Sequence, residues 1–473
     1  MTAETHARAS GRTAHVMAQI RSRIASGALT NGDRLPSIRG FAASLGVSPS
    51  TVVEAYDRLA AEGLIRARAG SGFFVTANTL SPVALSTRDE SPELREVDPF
   101  WVSRQSLDAD DESPKPGCGW LPADWMPQAA LRRALRNVAR AEDAVLLNYG
   151  RTQGDFDLRR LLARRAAEEG LALDPANIML TGSGSQSIDL ICRLLLKPGD
   201  TVLVDDPCYF NFRALLKAHQ VQVISVAMTP TGPDLTAFEN ALQASAPCLY
   251  LTNSALHNPT GATLSPPVAH RLLKLAEAHD LLILEDDIFT DFEPEPSVRL
   301  AALDGLNRVI RIGSFSKTLS ASLRCGYIAA RAEWIEGLVD LQIAAQFGGP
   351  CPIVTHVIGE VLTGGSYRKH MEEVRRRLNR TRRSVSARLT TLGIEPWLAP
   401  RGGFYLWCEL PDGTSSTALA QAAMAEGVVM APGNVFSAAQ TASRFMRFNV
   451  AQMADEKSWQ VLERGAGKVR TAS

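Results

Sequence analysis

The chain has 473 residues, with 50 basic and 50 acidic side chains, 45% hydrophobic residues and seven cysteines. That length allows two or three domains, and the composition is that of a soluble globular protein without disorder-like bias. Balanced charge names no partner; scattered, odd-numbered cysteines without a CxxC argue against a disulfide framework or zinc cluster and for a reducing cytoplasm; and the lack of a signal core or long apolar run argues against a membrane span.

Charge is unevenly placed. Residues 1–76 hold nine Arg against five acids, roughly +4, and residues 77–117 hold four basic against nine acidic side chains, roughly −5. A basic head before an acidic joint predicts a head that meets a polyanion. Val16, Ile20 and Ile24 recur at i, i+4, i+8 and predict a helix over 14–26, ended by Gly27 and the Asn31-Gly32 turn. Ser37 can N-cap a second short helix through about Leu45. Leu45-Gly46-Val47-Ser48-Pro49 then supplies a tight turn, a cap and a favoured first helical residue. The third helix has Val52, Tyr56 and Leu59 on one face and closes at Gly63. Runs at 64–68 and 73–75 flank Ala69-Gly70-Ser71-Gly72 as a hairpin with a glycine-rich tip.

Three helices and a hairpin make a winged helix-turn-helix over residues 1–77, with the third helix entering the major groove through Ser48, Ser50 and Thr51. Arg34, Arg39, Arg66 and Arg68 are candidate phosphate contacts, which set register and salt dependence rather than sequence choice. Asp33-Arg34-Leu35-Pro36-Ser37-Ile38-Arg39, Ser50-Thr51-Val52-Val53, Ala55-Tyr56 and Gly70-Ser71-Gly72 resemble the head of the GntR family. The resemblance implies a double-stranded DNA operator and adds Ser37, Tyr56, Gly70 and Gly72 to the DNA-contact set.

Residues 78–115 are rich in Ser, Pro, Asp and Glu and are punctuated by Ser81-Pro82, Ser91-Pro92 and Ser113-Pro114, a pattern that predicts a flexible linker. Pro99-Phe100-Trp101-Val102 is too apolar for a pure linker and is expected to dock on the body, either as plain packing or as part of a coupling interface.

Residues 116–473 alternate apolar runs (178–180, 202–204, 222–226, 248–252, 281–284, 308–312) with helical stretches such as 186–196 and 268–279. That alternation predicts a mainly parallel sheet covered on both faces, with ligands beyond the strand C-terminal ends. The polar motifs fall at those ends. Thr181-Gly182-Ser183-Gly184-Ser185-Gln186 opens a helix whose first amides can receive a phosphate. His257-Asn258-Pro259-Thr260-Gly261 is a turn from which Asn258 can donate to a phenolate oxygen. Leu284-Glu285-Asp286-Asp287 places a carboxylate where it can keep a pyridine nitrogen protonated, although adjacent acids at a strand end are often helix caps or metal ligands. Ser314-Phe315-Ser316-Lys317, seven residues before Arg324, sets hydroxyls and a guanidinium around one reactive amine. Such an amine can form a Schiff base with a phosphate-bearing aldehyde.

In this order the motifs resemble the fold type I pyridoxal 5'-phosphate enzymes of the aspartate aminotransferase-like group, and the resemblance covers nearly the whole body. It implies an α/β transferase-like body with a smaller C-terminal α+β subdomain, and Lys317 as the Schiff-base lysine. It also implies that Ser185, Gln186, Ser314 and Arg324 bind phosphate, Asp286 the pyridine nitrogen and Asn258 the ring hydroxyl. Tyr209 lies against the ring, Arg447 clamps a substrate or effector carboxylate with Arg444 as the alternative, and Tyr149 reaches a partner subunit, which implies a homodimer. One departure stands out: the family's tyrosine two or three residues after the aspartate is replaced by Ile288 and Phe289. On that count Asn258 alone contacts the ring oxygen, which hints at altered catalysis.

A GntR-like head on an aminotransferase-like body is similar to the MocR subfamily of transcription regulators. The resemblance implies a regulator that senses the cofactor or a small amino-compound effector and needs no metal or membrane. Two other readings stay open: a working aminotransferase with a regulatory head, and a regulator whose body is only a dimerisation scaffold.

Overall fold

The computed structural model describes residues 3–68, 70–76, 99–110 and 112–470. Ala69 at the hairpin tip and the Ser81-Pro82 and Ser91-Pro92 pairs lie outside the described residues. The chain divides into two units, Met1–Leu94 and Arg95–Ser473.

In the first unit, α1 (Ala3–Ala25), α2 (Ile38–Leu45) and α3 (Pro49–Ala61) precede a hairpin of β1 (Ile65–Arg68) and β2 (Gly72–Val75). The local chemistry follows the sequence. Ser37 caps α2 by accepting from Gly40 N, Gly46 ends it at φ 63°, and Ser48 caps α3 by accepting from Thr51 N with Pro49 at the first helical position. Val16, Ile20, Phe41, Val52, Leu59 and Val75 close one core. Tyr56 belongs to that core: it is fully buried and its hydroxyl donates to Pro36 O at 2.9 Å. Its assignment as a DNA contact is therefore corrected, since a buried phenol already satisfied by a carbonyl presents nothing to a duplex.

The second unit begins with α4 (Pro99–Asp108), a helix where the sequence suggested mostly linker. Its residue Val102 is buried against Phe210, Trp407 and Phe436, and that apolar packing is what orders the segment. The main sheet is built from β3 (Ile178–Thr181), β4 (Thr201–Asp206), β5 (Gln222–Thr229), β6 (Gly232–Pro233), β7 (Leu249–Thr252), β8 (Leu282–Asp286), β9 (Val309–Ser314) and β10 (Gly326–Ala329). Their order is β3-β10-β9-β8-β7-β4-β5-β6. The pairs β9–β8, β8–β7, β7–β4 and β4–β5 are parallel, as expected, and both faces are apolar. Val202 and Val204 pack to one side with Leu251 and Ile312, while Leu203, Tyr250 and Ile283 pack to the other. β10 runs against both neighbours. The eleven residues 315–325 between β9 and β10 are too few for a helical crossover, so the chain turns back at once.

A smaller antiparallel sheet, β11 (Glu395–Pro396), β12 (Tyr405–Glu409), β13 (Ala431–Pro432) and β14 (Phe445–Asn449), is ordered β11-β12-β14-β13 and accompanied by the helices Ser366–Thr391, Ser416–Ala425 and Glu456–Arg470. Among the described residues no helix is long and apolar enough to cross a membrane, and no His, Cys, Asp and Glu cluster is set to hold a metal.

Candidate functional site

The C-terminal ends of β4, β7, β8 and β9 converge on a cavity of about 270 Å³ whose charged lining is Lys317, Arg324, Arg447 and Asp286. Three basic side chains against one carboxylate favour an anionic ligand. Of the residues expected in the body's site, Ser185, Tyr209, Asn258, Asp286, Ser314, Lys317, Arg324 and Arg447 all line this cavity.

The acidic triplet at the end of β8 shows why only one of its members serves the site. Successive residues of a strand point to opposite faces. Glu285 accepts from Leu300 N at 2.8 Å and Ala301 N at 2.9 Å, capping the short helix Leu300–Asp304. Asp287 pairs with Arg299 at 2.8 Å and Arg311 at 2.5 Å. Asp286, between them, lines the cavity, accepts a 3.3 Å bond from Ile288 N and is also met by the Asn253 side chain. Burial pushes its carboxyl up to about 7, with the Ile288 amide acting the other way and Asp287 adding to the rise. Burial likewise pulls the Lys317 amine down to about 8, with the charge of Arg447 in the same direction and Cys118 and Asp286 opposing it. A less protonated amine is the more nucleophilic one.

Asn258 is positioned by a buried network beneath its turn. Asp205 accepts from the Tyr250 hydroxyl, from Thr252 Oγ1 at 2.7 Å and lies 3.2 Å from His257 Nε2, while His257 Nδ1 meets Thr260 Oγ1 at 2.8 Å. Asp205→Ala strands these buried partners and is expected to cost about 3–5 kcal/mol in a denaturant titration. A loss below about 1 kcal/mol would show that the network does not hold the turn.

Arg447 on β14 is 2% exposed; its Nη1 donates to Asn258 Oδ1 at 2.8 Å and its Nη2 to Gly117 O at 2.7 Å. The guanidinium is sandwiched 4.3 Å from the Tyr405 ring and 4.7 Å from that of Phe436. Its Nε is buried without a hydrogen-bond partner among the described residues. Arg444, by contrast, is half exposed and paired with Glu409 and Asp412, so the buried position belongs to Arg447.

Gln186 is a correction. Its Oε1 accepts from Gly182 N, its Nε2 donates to Gln346 Oε1 at 2.8 Å, and its own amide bonds Ser183 Oγ at 3.0 Å. These bonds turn the side chain toward Gly182 and Gln346, and Gln186 is not among the residues that line the cavity, although one Nε2 hydrogen remains unspent. The cavity side of that helix N-terminus is Gly184 and Ser185, whose amides precede the first intrahelical bond.

The sequence missed Tyr405. Phe289, at the position of the absent family tyrosine, packs edge-on to the Tyr405 ring at 5.7 Å. A methyl on Gly119 would lie 3.2 Å from the Tyr405 hydroxyl and 3.7 Å from Lys317 Nζ. β12 thus brings a phenol beside the lysine from another part of the chain. The only sequence signal was a glycine pair, Gly402-Gly403, before an apolar strand.

In the head, Arg34, Ser37, Arg39, Ser48, Ser50, Arg66, Arg68, Gly70 and Gly72 are exposed and Thr51 is half-buried. Ser48 Oγ bonds Ser50 Oγ at 2.9 Å and Thr51 Oγ1 at 2.8 Å, knitting the start of α3. The Arg34 guanidinium lies against Gly72, where an added methyl would stand 3.5 Å from Nε.

The sequence matches two family models: bacterial regulatory proteins of the gntR family over residues 12–75, and aminotransferase class I and II over residues 122–464. It is 32% identical over 459 residues to the uncharacterized HTH-type transcriptional regulator YdcR of Escherichia coli, covering 94% of this chain and 96% of that one. It is 28% identical over 369 residues to aromatic-amino-acid aminotransferase 1 of Thermococcus litoralis, covering 74% and 87%. Its fold is similar to that of the Pyrococcus horikoshii kynurenine aminotransferase solved with PMP, with a TM-score of 0.72 and 25% identity over 81% of this chain and 96% of that one.

Proposed function

The chain belongs to the MocR subfamily of GntR-type transcription regulators, with a DNA-binding helix-turn-helix head and an aminotransferase-like body, and from that premise we propose that the body holds pyridoxal 5'-phosphate and senses a small amino compound. The observation that carries the reading is the convergence of Lys317, Asp286, Arg324 and Arg447 on one cavity. The residues fit the cofactor: two guanidiniums, Arg324 and Arg447, face its phosphate and a ligand carboxylate, Lys317 offers the amine, and a buried carboxyl raised to about 7 suits a ring nitrogen that shares its proton. When bound, the group supplies an aldehyde that links reversibly to amines and a ring that accepts electrons.

Each residue then has one task. Lys317 is the covalent anchor. The Gly184 and Ser185 amides, Ser314 and Arg324 hold phosphate, and Tyr209 lies against the ring. Asp286 holds the proton at the ring nitrogen. Asn258, its oxygen taken by Arg447, donates through Nδ2. Arg447 receives the effector carboxylate. The body acts as a homodimer, in which Tyr149, 80% exposed beside Phe347 at 68%, reaches the partner subunit. Effector binding biases a two-state dimer on its operator, which requires different affinities for the two states.

A second reading, a working aminotransferase with a regulatory head, is favoured by the likeness to the Thermococcus enzyme; multiple turnovers with an amino acid and an oxo acid would establish it. The test of the sensor is visible absorbance of the purified protein, then borohydride reduction and peptide mapping. A visible band reduced onto Lys317 supports it. A colourless protein that cannot be reconstituted leaves the body a scaffold.

The head carries its own test. Arg39→Ala is expected to weaken duplex binding and to lower the slope of log K against log salt by roughly one. An unchanged slope removes Arg39 from the phosphate contacts.

A further inference from the structure

α4 is the first described part of the chain after the head, and it forms one wall of the Lys317 cavity. Val102, Ser103, Ser106 and Leu107 fall on one helical face and line it together. Val102 is buried on the body, whereas Leu107 is 72% exposed at the mouth. Ser106 is 3% exposed and its Oγ has no hydrogen-bond partner among the described residues. A buried hydroxyl without a partner costs free energy that an apolar residue of similar size would not, so its place in this wall points to a ligand that completes it.

The chain leaving α4 is tied to the residue that faces the carboxylate. Lys115 Nζ donates to Ala109 O at 2.9 Å, beyond the helix end. Val429 N donates to Pro114 O at 3.0 Å, Asn449 N to Pro116 O at 2.7 Å and Gly117 N to Val429 O at 2.8 Å. Gly117 O in turn accepts from Arg447 Nη2. From residue 102 to residue 117, therefore, the segment that enters the body from the joint contributes to the cavity wall and bonds the buried guanidinium.

We propose that α4 reads the occupant of the cavity, with Ser106 hydrogen-bonding a polar group at the far end of an amino-acid effector's side chain, so that filling the cavity stabilises α4 and alters the joint that leads to the head. This rests on the cofactor-dependent sensor described above. It adds a specificity residue, an effector class (amino acids with a polar side-chain end) and a route by which occupancy reaches the linker.

Full-length protein loaded with pyridoxal 5'-phosphate, its loading verified by absorbance, is titrated with L-glutamine and with L-norleucine. Both have a carboxylate and an amine, and their chains differ in polarity at the end. Ser106→Ala is expected to weaken glutamine about fivefold and to leave norleucine unchanged or tighter. In hydrogen exchange, amides of residues 100–108 should slow about tenfold at ten times the glutamine dissociation constant. Equal effects of the substitution on both ligands, or unchanged exchange in that helix while the cavity is filled, would overturn the proposal and leave the cofactor reading intact. A protein that never takes up the cofactor would instead sink the sensor reading itself. Ser106→Ala removes only Oγ and keeps Cβ, and that oxygen has no hydrogen-bond partner among the described residues, so loss of folding in the variant would also count against a ligand-facing Ser106.

Discussion

Lys317→Ala is expected to remove the borohydride-reducible label entirely while the protein remains folded. Among the described residues no other lysine lines the cavity, so none of them can take over the covalent role. The fold should survive because the ammonium is a burden on the ligand-free protein. The amine sits near 8 in the folded chain against an ordinary 10.5, so between those values the unfolded chain binds more protons and stability rises with pH. Asp286 behaves in the opposite sense: raised from 3.8 to about 7, it binds more protons in the folded chain, so stability falls as pH climbs through that interval. Lys317→Ala should abolish the alkaline rise between about 8 and 10.5 and keep the acidic-side fall. Denaturant midpoints measured across that range check the first effect, and peptide mapping checks the loss of label. A variant that still takes the label would show that another amine does the chemistry.

The parts of the body legible in the sequence are those where one physical demand dominates. Strands such as 202–204 and 249–252 are buried on both faces, so nearly every position is apolar or aromatic and the run stands out. Phosphate and carboxylate sites recur at strand ends, so Ser185, Asp286 and Lys317 could be placed by their spacing from those runs. Positions satisfying two demands were read less well. Tyr56 lies at helical spacing from Val52 and Leu59, which is the signature of a buried face, yet its place beside Ala55 in a family motif suggested a contact with DNA. Gln186 follows a phosphate-type turn, but an amide side chain that long folds back onto Gly182 N and Gln346.

Long-range positions that no sequence motif covered were not legible. Tyr405 stands 88 residues beyond Lys317 in the sequence and reaches it only because β12 and β14 pair in one register. The same pairing sets Trp407 opposite Arg447, and no local pattern encodes it. α4 was hidden for another reason. Its helix has a weak apolar stripe in an acidic, serine-rich neighbourhood, and the surface that orders it, Phe210, Trp407 and Phe436, comes from far along the chain. The antiparallel β10 followed the same logic, since its direction depends on the length of the Lys317 loop and not on its own composition.

Arg447→Met is expected to erase the distinction between amino acids and the corresponding amines. Nη1 and Nη2 each give one N–H to Asn258 and Gly117 O, which leaves their second hydrogens and the buried Nε as donors for a ligand. A carboxylate that completes the guanidinium gains a charge-assisted bond in a dry site, and truncating one partner of such a pair costs about 2–5 kcal/mol, roughly 30-fold or more in affinity. An amine lacking the carboxylate gains nothing from those donors, so its affinity should change far less. The comparison therefore separates recognition from simple damage to the cavity, which would weaken both ligands alike. Arg447→Lys sharpens the test, because it keeps the charge but loses the planar fork, and should recover only part of the preference. If Met and Lys at this position both leave the amino acid preferred by the original margin, the carboxylate is received elsewhere, and Arg447 serves to orient Asn258 and to fasten residue 117.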